Sequence, residues 1–162
     1  MRKPPPLILL FLLLLPLTSL LPRAARAAQV VVLEPRARGD LRSEERARLG
    51  DALWAALDRL GLRRVSDADR DAVLQGEVGL RACLERDECL ERLGRLLEAA
   101  HVIGVSLERT APGAHKLSVR LFDVDVGQDG AVVDWTCAAC SVEDVARQLD
   151  GLVEAAVQKD RQ

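Results

Sequence analysis

The sequence predicts an α/β (α+β) domain: a mixed sheet of about five strands with helices packed on it, in the order β-α-β-α-α-β-β-β-α, ending in a three-stranded meander and a C-terminal helix. Three observations predict it. A β-branched run, Val30-Val31-Val32-Leu33, opens the folded part. Segments with apolar residues at helical spacing follow it, and beyond Val102 the apolar period shortens to two. Strands that alternate with helices and then run consecutively suit a sheet with helices laid against it.

The first residues read as an export signal. Arg2 and Lys3 supply a positive start, Leu7 to Leu15 form an unbroken apolar run, and Pro16 interrupts it. That run falls short of the about 20 apolar residues a bilayer span needs. Ala25-Arg26-Ala27 offers small residues where a signal peptidase reads, so residues 1–27 are expected to be removed before Ala28, leaving 28–162 as a single domain with no membrane span. No cysteine follows the expected cut, which disfavours a lipid anchor. The leader holds four of the 23 basic residues and none of the 25 acidic ones, leaving 19 against 25, a net charge of about −6. That balance argues against a nucleic-acid partner. Arginine far outnumbers lysine and alanine and leucine abound, the composition of a high-GC bacterial product, for which export means the periplasm or beyond.

Each element has its own signal. Gln29 to Leu33 lacks alternation, as a strand buried on both faces does, and Pro35 ends it. Arg36 to Arg42 reads as a charged loop through Gly39. Ser43 offers an N-cap with Glu44 and Glu45 behind it, and Leu49, Leu53, Leu57 and Leu60 then mark one helical face until Gly61 stops it. Leu62 to Val65 suits a brief strand. Ser66 caps a short helix that ends near Gly76. Beyond Cys89, the residues Leu90, Leu93, Leu97 and Ala100 form the stripe of a third helix, with charge on its opposite side.

The alternating part begins at Ile103, Val105 and Leu107 and resumes after Pro112-Gly113 with Leu117, Val119 and Leu121, a β-hairpin. A third run, Ala131 to Thr136, follows a turn over Gly127 to Gly130. Ser141, with Glu143 and Asp144, then opens a last helix whose buried stripe is Val145, Leu149, Leu152 and Ala156. No internal repeat or low-complexity tract interrupts this order.

Four cysteines in an exported chain are read first as disulfides. Three pairings are possible; the local one, Cys83 with Cys89 and Cys137 with Cys140, is expected because each pair closes a short loop at the start of a helix. Two other chemistries compete for the same residues. A thiol-disulfide oxidoreductase could use Cys137-Ala138-Ala139-Cys140, where a helix N-terminus would lower one thiol's pKa. A thioredoxin-like fold, however, carries more strands beyond its CxxC than the 22 residues after Cys140 supply. A four-thiolate zinc site would need a tighter knuckle than the gap from Cys83 to Cys89 gives.

The remaining candidates are weaker. Asp123, Asp125 and Asp134 fall at positions one, three and twelve of a calcium loop, but Gly127 and Gln128 stand at the fifth and sixth, where an acid or amide and a glycine belong. Asp129 lies in the same acidic turn. His101 and His115 are expected at the surface or at strand ends, with no Ser-His-Asp or Cys-His set to join. Trp54 and Trp135 are expected in the core. With no tyrosine and few other aromatics, carbohydrate-stacking and single-strand platforms are poorly supported. No catalytic residue, cofactor or metal is therefore expected.

Several strings together resemble a known group. Val30 to Leu33, the helix from Glu44 to Leu60, Leu62 to Ala72, Cys83 through Cys89 into Leu90-Glu91-Arg92-Leu93-Gly94, Val102-Ile103-Gly104-Val105, and Leu121-Phe122-Asp123-Val124-Asp125-Val126-Gly127 are similar to the periplasmic α/β domains at the amino terminus of TolB, in the curli-secretion protein CsgG, and in lipoprotein activators of penicillin-binding proteins, in their delta-proteobacterial and myxobacterial versions. The resemblance runs from about 29 to 157; where relatives often carry Gly-Ala-Asp, this chain has Ala99-Ala100-His101. It implies a non-enzymatic interaction or assembly domain of the cell envelope, in the periplasm or at the outer membrane, with another envelope protein as partner and no catalytic set.

Overall fold

The computed structural model describes residues 29–38 and 42–161, so the expected leader, its cleavage point and Gly39 lie outside the described residues. The elements are β1 (Gln29–Val32), β2 (Arg36–Arg38), α1 (Ser43–Arg59), β3 (Arg63–Arg64), α2 (Asp67–Gly76), a 3-10 turn (Arg81–Cys83), α3 (Asp87–Leu96), β4 (His101–Ala111), β5 (Ala114–Asp123), β6 (Gln128–Cys137) and α4 (Val142–Asp160). The mixed sheet, the β4-β5-β6 meander and the closing helix are those the sequence predicts.

The sheet runs β3-β1-β4-β5-β6, with β2 also on β4. β1 lies parallel along the start of β4, Val30 opposite His101, and β2 lies parallel along its second half, Arg36 opposite Ser106. Together β1 and β2 form one strand line broken at Pro35, so part of the segment expected as a charged loop is paired. The cause is local: Pro35 lacks the N–H that would carry the ladder through, and pairing resumes one residue later.

Two cores sandwich the sheet. On one face α1 and α4 cover Val30, Val32, Ile103, Val105, Leu117 and Val119. On the other, α2 and α3 cover Val31, Val102, Phe122 and Val124. β1 thus buries valines on both sides, as its unbroken apolar run requires.

Caps and turns refine the boundaries. Arg42, not Ser43, precedes the first turn of α1, and its backbone N–H donates to Glu45 Oε2 at 2.8 Å. Ser66 and Ser141 are the N-caps the sequence predicts, accepting from the N–H groups of Asp69 and Asp144. α3 begins at Asp87, ahead of Cys89, and ends before Ala100. The meander's second turn closes at Gly127, in the left-handed region at φ 74°, so β6 starts earlier than expected and Gly130 lies inside it. Among the described residues, no helix is long and apolar enough to cross a membrane.

Candidate functional site

α2 and α3 are short, and they cover only the half of their face near the start of β4. Along the other half the alternation places Gly104 and Ser106 of β4, Ser118 of β5, and Val132 and Asp134 of β6 toward solvent. Ser106, Val132 and Asp134 are exposed, Val132 at 42%. The uncovered floor adjoins a groove of about 290 Å³, walled by Arg36 and Arg38 of β2 on one side and by Leu84 and Glu85 on the other.

Arg120 organises the border of that groove. Its Nε donates to Asp129 Oδ1 on β6 at 2.5 Å, one terminal nitrogen donates to Asp87 Oδ1 at the start of α3 at 2.5 Å, and the other reaches the Glu85 carbonyl at 3.2 Å. Partial burial opposes its charge, but the hydrogen bonds and charges of Asp129 and Asp87 outweigh burial and push its pKa up. Arg36 pairs with Glu85 at 2.5 Å. On the open floor a hydrogen bond from Ser118, with Lys116 nearby, holds the Asp134 carboxyl below its usual range. The surface is small-residue and polar at its centre, with charges of both signs at its rim.

A second cleft, of about 560 Å³, lies at the far end of the β4–β5 hairpin, between the starts of α1 and α4. His115 lines it at 4% exposure, and among the described residues neither of its ring nitrogens has a hydrogen-bond partner. Burial, with the Arg109 charge adding to it, lowers its pKa, while Glu45 opposes the shift. His115 is near a strand end as expected but is buried, because it follows the phase of Leu117, Val119 and Leu121 rather than that of its polar neighbours. Ser141, which lines the same cleft, donates its Oγ to Asp144 Oδ2 at 2.8 Å.

The other singled-out residues are dispersed. Cys83 and Cys89 lie within disulfide distance with Cα atoms 5.9 Å apart, and Cys137 and Cys140 likewise at 6.0 Å. The two pairs sit at different joints, one between the 3-10 turn and α3, the other between β6 and α4. Asp129 pairs with Arg120 and Asp134 with Lys116, whereas Asp123 Oδ1 accepts the N–H groups of Asp125 and Val126. Asp123 and Asp134 of the supposed calcium loop thus serve separate partners. Trp54 and Trp135 are half-buried against the α1–α4 core, and the Arg64 guanidinium stacks 4.2 Å over Trp54.

No protein-family model matches the chain, and no curated protein matches it in sequence. Solved structures do match. The carboxy-terminal domain of LpoB from Salmonella enterica superposes with a TM-score of 0.53 at 20% identity, over 68% of this chain and 82% of that one. The fold is LpoB-like. A lipoprotein from Neisseria meningitidis shares it with a TM-score of 0.54 at 17% identity, over 82% of this chain and 95% of that one. TolB from Acinetobacter baumannii matches with a TM-score of 0.51 at 12% identity, over 82% of this chain but only 28% of its own. Identities this low establish the LpoB-like architecture alone. The open half-sheet and the buried His115 are read from this chain's own residues.

Proposed function

We propose that this chain is an exported interaction domain of the bacterial cell envelope, without enzymatic activity, that binds another envelope protein on the sheet half its helices leave bare. The observation that carries the reading is that floor of Gly104, Ser106, Ser118 and Val132, rimmed by Arg36, Arg38 and Arg120. A small-residue floor lets a partner backbone approach closely, and β6 beside it is the last strand of the sheet, the position at which a further strand is added. The LpoB-like fold and the TolB match support the envelope assignment, and the export signal expected over residues 1–27 supports the compartment. The string from Leu121 to Gly127 extends the proposal to a CsgG-like, myxobacterial relationship. The cysteines then act as staples, Cys83 to Cys89 and Cys137 to Cys140, in an oxidising space.

Affinity capture from envelope extracts tests the reading when run with wild type beside S106R and S118R. Both substitutions put a bulky charge on the open floor and leave the buried faces intact. A partner retained by wild type and lost by both folded variants supports the proposal. A partner retained equally by all three rejects this face as its docking site.

A further inference from the structure

Three ligating side chains from distant parts of the sequence converge at the opposite end of the sheet from His115. His101 is the first residue of β4, Asp123 the last of β5 and Asp160 the last of α4. His101 and Asp123 are direct cross-strand partners. One ligand atom of each lies within 4.8 Å of the other two, and His101 Nε2 stands 2.9 Å from Asp160 Oδ2. The side chains of His101 and Asp160 are largely buried, at 20% and 11% exposure. Among the described residues no other set of three His, Cys, Asp or Glu comes together in this way.

We propose that His101, Asp123 and Asp160 form a binding site for a borderline divalent metal ion, with zinc the best fit to the donors. The charge balance is the first argument. Among the described residues Asp123 makes no ion pair, and Asp160 pairs only with His101. Two carboxylates beside one imidazole thus concentrate negative charge in a half-buried corner, an arrangement that favours a divalent cation.

Orientation is the second argument. Asp123 Oδ1 is fixed by the N–H groups of Asp125 and Val126 at 2.8 and 3.0 Å, which holds its carboxylate in place as outer partners do in metal sites. Gly130 is the third. A Cβ there would collide with the Asp160 carboxylate, so the glycine is what allows Asp160 to reach the histidine. One imidazole nitrogen and two carboxylate oxygens suit zinc or manganese; calcium prefers six to eight oxygens and copper(I) prefers sulfur. Three protein ligands leave a coordination position for water or for a donor from a partner. A bound ion would also clamp the end of α4 to the sheet.

Titration calorimetry of the tag-free protein with zinc chloride, with magnesium chloride as comparison, tests the site. The expected result is saturable uptake of one zinc per chain and none of magnesium, with a rise in the thermal midpoint on zinc addition. D123N and D160N should each weaken zinc binding by roughly tenfold or more. G130A keeps all three ligands and should weaken it too, by displacing Asp160. Circular dichroism establishes that each variant is folded. The proposal is overturned by a folded wild type that takes up no zinc saturably, or by zinc affinity that stays within about twofold in both D123N and D160N.

Discussion

The Arg70 guanidinium donates to the carbonyl oxygen of Val32 at 2.8 Å, tying α2 to the end of β1 across 38 positions of sequence. Arg70 is 6% exposed, and the same group holds Asp67 Oδ1 at 2.8 Å and Asp71 Oδ1 at 3.0 Å. The Val32 carbonyl lies just before Pro35 breaks the strand line, and the arginine supplies a donor there. R70A should destabilise the domain by about 3 kcal/mol by stranding that carbonyl and removing the buried aliphatic stem, while the half-exposed Asp67 and Asp71 turn to water. R70M keeps the aliphatic stem and should lose about 2 kcal/mol. Urea unfolding midpoints measure both; losses below about 0.5 kcal/mol would mean that the bond contributes nothing.

His115 should make stability depend on pH. Its folded pKa lies below the ordinary 6.5, chiefly through burial, so the unfolded chain binds a proton more readily. Its contribution is present above pH 6.5 and is lost as pH falls from there through the folded pKa. Urea midpoints taken between about pH 7 and 5.5 should fall for wild type and fall less for H115L. H115L fills the same space without two unpaired nitrogens and should be neutral or stabilising at pH 7. Parallel pH curves for the two proteins would contradict this account of the buried ring.

Gly94 faces Val124 so closely that a Cβ would overlap its methyl groups. G94A should therefore cost about 1–3 kcal/mol, although alanine is the better helix former. V124A should relieve the overlap, so the double variant should be less destabilised than the two single effects added. A calorimetric cycle reads that coupling, and simple additivity would show that α3 moves away instead.

The cysteine proposal predicts no free thiols in the purified protein under denaturing conditions and no insulin-reducing activity. C83S with C89S should cost about 2 kcal/mol, and C137S with C140S a similar amount. Two or more titratable thiols, or insulin reduction lost on C137S, would move Cys137 and Cys140 from staple to reactive pair.

The parts legible in the sequence were those where one periodicity holds for several residues. The β4–β5 hairpin, the leucine face of α1 and the stripe of α4 each repeat their signal often enough to be read. β2 was not legible, since Arg36-Ala37-Arg38 is too short to show alternation and its pairing depends on β4 more than 60 residues away. The start of β6 was misplaced because Gly127 and Gly130 look alike in sequence; Gly127 takes the left-handed turn, whereas Gly130 lies in the strand where Asp160 fills the space a Cβ would need. His115 and Arg70 did carry a signal. His115 is in phase with Leu117, and Arg70 stands one helical turn before Leu74, but polar residue type hid what spacing disclosed. The His101–Asp123–Asp160 convergence had no local signature, because it is assembled from the ends of three elements.

Photocrosslinking in the living envelope tests the central claim most directly. A photoreactive residue replacing Val132, on the open sheet half, is compared with one replacing Arg147 on the exposed side of α4. The account predicts a discrete crosslinked protein from position 132 and none from position 147, and it predicts that S118R abolishes the adduct. Adducts from position 147 alone, or an adduct at position 132 that S118R leaves unchanged, would contradict it.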